Sequence, residues 1–217
     1  MVKKQIVKEK TIAMMEKELD ALLKAKGFSR RKNSTKYLRN FKESSQGVEL
    51  TTIINPKYQS HAEAHLYPWI KIEVPNVNKI ALNMVGDEKL LANKPDITLR
   101  QPLETLIPKS YQKRLFFYED EGYLQIGEKL KFYMINWVFN FLDELSTAKG
   151  IVKSYENKDA RPLKSDQWII YVTASYISLD EYDKAKKVLE DNFSSIGKQK
   201  RYREAFNYLD KLKKNNY

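Results

Sequence analysis

The chain has 217 residues, with 39 Lys and Arg against 28 Asp and Glu, so its formal net charge is +11. It contains no Cys, two His and seven Gly. These counts exclude a disulfide scaffold, a cysteine nucleophile and any Cys-based zinc or iron–sulfur site, and two histidines cannot build a three-His metal centre.

The N-terminal segment predicts a helix followed by a β-hairpin. Residues 4–26 carry apolar side chains at helical spacing, namely Ile6, Ala13, Met14, Leu19, Leu22 and Leu23. Gly27 suits the position just beyond a helix C-terminus. Residues 36–41 alternate in polarity, and residues 48–55 are rich in β-branched side chains. We expect two strands joined by a loop of about four residues at 44–47.

The excess positive charge is concentrated in the same segment. Residues 1–60 hold 14 basic and 6 acidic side chains. The cluster peaks at Arg30, Arg31, Lys32, Lys36, Arg39 and Lys42. Such a cluster could attract an acidic protein, a phosphate or a nucleic acid, or it could be a solvated strand face and loop, and both interpretations stay open.

Residues 61–74 have the clearest period-two pattern in the chain. Apolar residues fall on one face, and the other face carries His65, Tyr67 and Trp69. Pro68 cannot donate to a ladder, so we expect an edge strand or a bulge there. The aromatic face could stack bases or be covered by a helix, and we favour burial because large aromatics dominate cores.

Metal binding and catalysis are not favoured by the motifs. On a strand, His61 and His65 lie about 13 Å apart, too far for one ion to bridge. The acidic runs 119–121 and 180–183 have no partner set that suggests a nucleophile with a base, and no G-x-S-x-G, H-E-x-x-H or Walker A motif occurs. We lean against an enzyme and expect no metal and no cofactor.

The middle and the C-terminal part predict mainly helices. A short helix is expected at 76–85, a long connection at 87–112 with at most one strand near 97–100, and a buried strand at 114–118 before an acidic turn at 119–122. Residues 127–147 are apolar on nearly all sides, which is typical of a buried helix. Beyond a boundary at 151–164, the helices expected are 168–178 and 180–193, which form an αα-hairpin, and 200–213.

The hairpin resembles one tetratricopeptide-type unit. The positions that match this pattern are Trp168, Tyr176, Tyr182, Ala185 and Leu189. Thr173 departs from the usual small residue, and repeat arrays need about three units. The hairpin could therefore bind a peptide or simply cap the domain, and we favour the second.

Residues 22–41 resemble the opening of a family of small bacterial proteins of unknown function. The shared features are a helix that ends in Gly-Phe, a basic turn and an aromatic-centred strand, carried here by Gly27, Phe28, Arg30, Lys32, Tyr37 and Arg39. The resemblance extends over about residues 10–150. It implies an immunity or accessory role in a bacterial toxin system, exerted by binding a partner, and it brings no catalytic residues.

Together these observations predict an α+β fold. An N-terminal helix and a mostly antiparallel sheet pack on a buried hydrophobic helix in an α+β domain at 1–150, with an all-helical extension at 151–217 packed on it. The charged N-terminal segment has no apolar core of a secretory signal, and the run 132–142 is too short to span a bilayer, so we expect a cytoplasmic protein without membrane association.

We expect a non-catalytic protein-interaction module with an unknown protein partner. The alternative is a nucleic-acid-binding protein that uses the basic N-terminal hairpin and the nearby aromatics. The candidate partner-binding residues are Arg30, Arg31, Lys32, Tyr37, Arg39, Tyr67 and Trp69.

Overall fold

The computed structural model describes residues 4–91, 97–118 and 122–215. Within these ranges the chain forms eight continuous helical runs and a six-stranded antiparallel sheet, so the predicted α+β class is confirmed. The acidic run 119–121 lies outside the described residues.

The helical runs are regular except for two π-helical turns. The first run comprises α1 Lys4–Met14, a π turn Met15–Leu19 and α2 Asp20–Ala25, and a later one comprises α4 Tyr123–Tyr133, a π turn Met134–Val138 and α5 Phe139–Glu144. The other helices are α3 Pro75–Val85, α6 Ala148–Glu156, α7 Asp166–Ile177, α8 Tyr182–Asn192, α9 Ile196–Arg201 and α10 Arg203–Asn215. Short 3₁₀ turns lie at Glu88–Leu91 and Leu103–Leu106.

The six strands form one sheet. They are β1 Ser29–Arg30, β2 Lys36–Phe41, β3 Ser44–Ile54, β4 Ala64–Glu73, β5 Leu99–Pro102 and β6 Leu115–Phe117. Their order is β1-β2-β3-β4-β5, and β6 pairs antiparallel with the start of β4, with Ala64 opposite Phe117. The strand β4 therefore has neighbours on both sides, so the edge-strand alternative predicted from Pro68 is wrong, and the other alternative, a bulge at Pro68, stays a prediction.

The predicted first helix is confirmed, but its buried face differs in part from the expected one. Met14, Leu19 and Leu23 are buried as expected, whereas Ile6 and Ala13 are exposed. The buried stripe also includes Val7 and Thr11. A threonine can occupy it because the Thr11 hydroxyl donates to the Val7 carbonyl at 2.7 Å, which satisfies its polar group inside the helix.

The end of this helix follows the sequence prediction. Gly27 adopts a left-handed backbone with φ of 81°. The amide of Phe28 donates to the Leu23 carbonyl at 2.9 Å, and the amide of Gly27 donates to the Lys24 carbonyl at 2.9 Å. These two bonds are the Schellman pattern, and they return the buried Phe28 ring to the last turn.

The hairpin turn lies earlier than predicted. The strands β2 and β3 are joined by Lys42 and Glu43 alone, and the segment 44–47, expected as the loop, belongs to β3. Its Ser-Ser-Gln-Gly sequence is typical of a turn, but the Gln46 amide donates to the Leu142 carbonyl at 2.7 Å, and this buried bond holds the segment in the strand.

The predicted helix at 127–147 begins at Tyr123 and ends at Glu144. Phe132 and Ile135 are 45% and 49% exposed, so the expectation of burial on nearly all sides is wrong for this face. Apolar residues occupy every side of this helix, but only one side packs into the core, so the apolar residues of the opposite side remain exposed. On the open side, Phe132 and Trp137 contact the ring of Tyr111, with centroid distances of 6.0 and 5.3 Å.

The chain divides into two compact units, and the division of domains at residue 150 stays a prediction. The first unit comprises Met1–Phe41, Ser45–Lys71 and Arg100–Asp143, and the second comprises Lys42–Ser44, Ile72–Leu99 and Glu144–Tyr217. In the first unit, a hydrogen bond joins β2 to α2, since the Tyr37 hydroxyl donates to Asp20 at 2.5 Å.

In the second unit, α7 is the central helix and contacts α3, α6 and α8. Every residue from 170 to 177 is buried. The predicted αα-hairpin is confirmed as α7 and α8. Thr173 is fully buried, and its hydroxyl donates to the Ile169 carbonyl at 2.8 Å, which explains how a polar residue fits where a small one is usual. The stretch 151–164, expected as a boundary, is helical as far as Glu156.

Candidate functional site

The two faces of the sheet in the first unit have different environments. On β4, Leu66 and Ile70 point to the inner face and are fully buried. The alternate residues Tyr67, Trp69 and Lys71 are only half-buried. The strand therefore has one packed face and one face that reaches solvent, as the period-two pattern predicted.

The solvent-reaching side, which we name the open face, carries a row of aromatic rings. The open face comprises Leu38, Ile53, Tyr58, His65, Tyr67, Trp69, Arg100, Arg114 and Phe116, and its aromatic members form the row. Along β4, the ring of His65 lies 5.6 Å from that of Tyr67, which lies 5.5 Å from that of Trp69. Phe116 of β6 continues the row at 4.8 Å from His65. The pairing of β6 with the start of β4 thus extends the aromatic surface across two strands.

The rings stand edge to face. The planes of His65 and Tyr67 meet at 73°, and those of Tyr67 and Trp69 meet at 66°. This arrangement is favourable for aromatic pairs because the positive edge of one ring meets the negative face of the next. It also means that, in each of these two pairs, the edge of one ring covers part of the face of the other.

Two arginines border the row. The guanidinium of Arg100 lies 4.2 Å from the centre of the Trp69 ring, and that of Arg114 lies 5.6 Å from the centre of the Tyr58 ring. Both contacts have cation–π geometry. A surface of Tyr, Trp, Phe and Arg side chains is therefore held in place by contacts among its own members.

His65 is the buried polar centre of the row. The Tyr58 hydroxyl and the His65 Nδ1 atom are 2.7 Å apart and share a hydrogen bond. Burial and the positive charge of Arg114 lower the pKa of His65, against a smaller opposing effect of Glu104. The imidazole is therefore stabilised in its neutral form. The Tyr67 hydroxyl donates to Glu104 at 3.2 Å, and burial together with this carboxylate raises the pKa of Tyr67.

The open face has an apolar flank on β2 and β3. Leu38 is 47% exposed and Ile53 is 45% exposed. A Cβ atom on Gly47 would lie 3.2 Å from the Leu38 side chain and 3.6 Å from that of Lys71, so these three residues share one side of the sheet. Glycine at this position lets the neighbouring side chains close over the strand.

The predicted site residues fall into three groups. Tyr67 and Trp69 belong to the open face and are half-buried, so the expectation that a helix covers them does not hold in full. Arg31 and Lys32 are exposed in the turn after β1. The other three, Arg30, Tyr37 and Arg39, form contacts within the first unit.

Arg30 and Tyr37 both bind Asp20. The Arg30 guanidinium donates to this carboxylate at 2.7 and 3.0 Å, and the Tyr37 hydroxyl donates to it at 2.5 Å. Burial opposes ionisation of Asp20, but these hydrogen bonds outweigh it and lower its pKa. The side chain of Arg30 is nearly covered and Tyr37 is buried, so they stabilise the hairpin against the first helix.

Arg39 is likewise buried. Its guanidinium donates to Gln46 at 2.8 Å and to the Lys26 carbonyl at 2.9 Å, and it forms an ion pair with Asp143. Arg30 and Arg39 of the predicted basic cluster are thus neutralised inside the fold. The exposed Lys36 is paired at the surface with Glu49 at 2.9 Å.

Sequence reasoning missed Arg100, Arg114 and Phe116 as members of this surface. The available signal was the strand pattern at 114–118, which puts Phe116 on the face opposite to Leu115 and Phe117. The pairing of β6 with β4, which brings Phe116 beside His65, is a contact between distant parts of the chain.

Other kinds of site are not supported in the described ranges. No group of three or more His, Asp and Glu residues there is arranged to hold a metal ion. His61 is exposed in a turn and His65 is buried in β4. Among the helices described, none has the length and apolar character needed to cross a membrane.

The fold and the open face define an α+β protein with an aromatic, arginine-bordered sheet surface. Comparisons of the chain with protein-family models, with curated proteins and with solved structures found no match.

Proposed function

We propose that the protein is a non-catalytic interaction protein that binds a protein partner through the open face. The observation that carries the proposal is the row of half-buried Tyr and Trp rings on β4 with Arg100 against Trp69. Tyr, Trp, Phe and Arg are enriched in the centres of protein interfaces, and Trp, Tyr and Arg are the usual hot spots of binding energy.

The apolar flank supports a protein partner. Leu38 and Ile53 expose nearly half of their surface beside the aromatic row. Each of these side chains adds apolar surface to the face that carries the aromatic rings, and such residues form the centres of protein interfaces. Arg100 and Arg114 add positive charge at the border, so we expect the partner to present acidic side chains around an apolar centre.

Nucleic acid is the second candidate, and the ring geometry makes it the weaker one. Base stacking needs a free aromatic face. Here Arg100 covers one face of Trp69, and Tyr67 meets both neighbouring rings edge to face. The net charge of +11 favours binding to an anionic polymer, but Arg30, Lys36 and Arg39 are paired with carboxylates.

The resemblance of residues 22–41 to the small bacterial family suggests the most specific form of the proposal. In that form the partner is a toxin, and binding neutralises it. No chemistry on the part of this chain is required, because covering the toxin's active surface is sufficient.

The test uses the double variant Leu38→Lys with Ile53→Lys, because its effect has opposite signs for the two candidates. Two added lysines on an apolar docking surface should weaken a protein complex at least about tenfold. The same lysines should strengthen binding to a single-stranded RNA. The protein ligand for the titration is the product of the neighbouring gene, and the RNA is an unstructured oligonucleotide at two salt concentrations.

Ile196→Lys is the matched control, because Ile196 is 84% exposed in α9 and lies outside the sheet. This variant should bind the protein ligand as the unaltered chain does. Unchanged affinity in the double variant would contradict the proposed face. Tighter, steeply salt-dependent RNA binding without a protein complex would establish the second candidate instead.

A further inference from the structure

The second unit contains a cavity of about 490 Å³. It lies where the end of α6, the start of α7 and the end of α8 meet. This volume is within the range of sites that hold small molecules. All of its lining residues lie between 155 and 198, and none of them belongs to the open face.

The three carboxylates that line the cavity already have partners. Asp166 accepts from Lys198 at 2.8 Å. Glu156 accepts from the Tyr176 hydroxyl at 3.0 Å and lies 3.5 Å from the Lys184 ammonium group. Asp159 binds the Arg161 guanidinium at 2.8 Å, and although burial opposes its ionisation, the bonds from Arg161 lower its pKa. The negative charge of the lining is therefore compensated before any ligand binds.

Two lysines in the lining are not compensated in this way. Lys158 and Lys164 are exposed and have no ion-pair or hydrogen-bond partner for their ammonium groups among the described residues. Lys158 also adopts a left-handed backbone with φ of 53° just after α6, a position that glycine ordinarily takes. Its amide donates to the Tyr155 carbonyl at 2.9 Å, which holds the residue there.

The rest of the lining is apolar and aromatic. The side chains of Trp168, Ile169 and Tyr155 contribute to the wall, and the Asn192 amide donates to the Tyr155 hydroxyl at 3.0 Å, which fixes that ring. The lining thus combines two uncompensated ammonium groups with an apolar wall.

We propose that this cavity binds a small organic anion with a flat apolar part. The anionic group lies between Lys158 and Lys164, and the apolar part lies against Trp168 and Ile169. Charge-assisted hydrogen bonds orient the anion, and burial of the apolar part against the wall supplies affinity.

The experiment is an NMR titration of the ¹⁵N-labelled full chain, which follows the indole signal of Trp168. Comparison with Trp168→Phe assigns this signal among the three tryptophans. The probe is phenyl phosphate. Inorganic phosphate, which lacks the ring, and phenethylamine, which has the ring and a positive charge, are titrated at the same ionic strength.

Phenyl phosphate should shift the Trp168 signal with a saturable curve, more tightly than inorganic phosphate, and phenethylamine should not saturate. Lys158→Gln and Lys164→Gln should together raise the dissociation constant at least about tenfold, the loss expected for charge-assisted bonds. Both side chains are exposed, so these variants keep the fold. Lys153→Gln, an exposed lysine of α6 outside the lining, should leave the constant unchanged.

Three results would overturn the proposal. The first is the absence of a saturable shift with phenyl phosphate. The second is an equal response to phenethylamine, which would show that the negative charge is not recognised. The third is an unchanged dissociation constant in the lysine double variant, which would place the probe elsewhere. Equal affinity for inorganic phosphate would show that the ring of the probe does not contribute to binding, which contradicts the proposed contact with Trp168 and Ile169.

Discussion

Arg39 and Asp143 form an ion pair between β2 and α5, 104 positions apart in the chain. The Arg39 side chain is only 4% exposed, and its guanidinium also lies 4.5 Å from the centre of the Phe28 ring. A residue that the sequence places in a basic surface cluster is therefore a buried link between the sheet and the helix that packs on it.

We expect Asp143→Ala to lower the free energy of unfolding by about 2 kcal/mol, because it leaves the buried guanidinium of Arg39 without its carboxylate. The cost is below that of a fully buried pair, since the Asp143 side chain is 39% exposed. Urea unfolding measures the difference. Arg31→Ala, which removes an exposed arginine of the same cluster, should change stability by less than about 0.5 kcal/mol. Equal effects of the two variants would show that Arg39 does not need its partner.

The features that the sequence predicts well depend on neighbouring residues. Gly27 and Gly86 both have positive φ at helix ends, and the alternation along β4 places Tyr67 and Trp69 on one face. Local geometry is sufficient for such features, because the period of a helix or strand and the permissive backbone of glycine act within a few residues.

The features that the sequence misses depend on distant partners. Arg39 is buried because Asp143 and Gln46 compensate it, and residues 44–47 stay in a strand because Leu142 accepts the Gln46 amide. Arg100 joins the open face through its contact with Trp69. Charge and polarity alone favour solvent for these side chains, and the compensating groups become adjacent only in the folded chain.

His65 should make stability depend on pH near neutrality. Its pKa in the folded protein is lowered from the ordinary value of 6.5, so the unfolded chain binds the proton first. Stability is then complete above pH 6.5 and falls as the pH decreases below that value. Urea unfolding between pH 7.5 and 5.5 should show this fall in the unaltered chain.

The chain offers a matched control, because its only other histidine is the exposed His61. His65→Phe, which keeps a ring beside Phe116, should flatten the dependence between pH 7.5 and 5.5, and His61→Gln should retain it. If the pH dependence of stability persisted in His65→Phe, another titratable group would have to cause it.

Glu63 should make the stability of the protein depend on pH at acidic values. Its carboxylate accepts from Lys10 at 2.8 Å and from the Tyr123 hydroxyl at 2.6 Å. Burial opposes its ionisation, but these bonds outweigh that effect and lower its pKa from the ordinary value of 4.5. The stabilisation by Glu63 is therefore present above pH 4.5, and it is lost as the pH falls through the lower pKa that Glu63 has in the folded protein.

Glu63→Gln should cost about 1.5 kcal/mol at pH 7, where the charge-assisted bonds are lost. The gap between this variant and the unaltered chain should narrow as the pH is lowered toward 3, which urea unfolding at the two pH values measures. Tyr123→Phe removes one of the two bonds and should give a smaller cost at pH 7. A gap that stays constant with pH would mean that the carboxylate charge does not contribute.

Two glycines of the second unit provide opposite predictions for the same substitution. At Gly150, in the first turn of α6, a Cβ atom would lie 1.8 Å from the Glu144 carbonyl oxygen, whereas at Gly197, in α9, it would have no neighbour within 4 Å. Gly150→Ala should therefore destabilise the protein by about 3 kcal/mol, because backbone must move to relieve the overlap. Gly197→Ala should stabilise it by about 0.5 to 1 kcal/mol, since alanine is the better helix former. Urea unfolding of both variants measures the two signs, and a neutral Gly150→Ala would show that the start of α6 can shift away from Glu144 without loss.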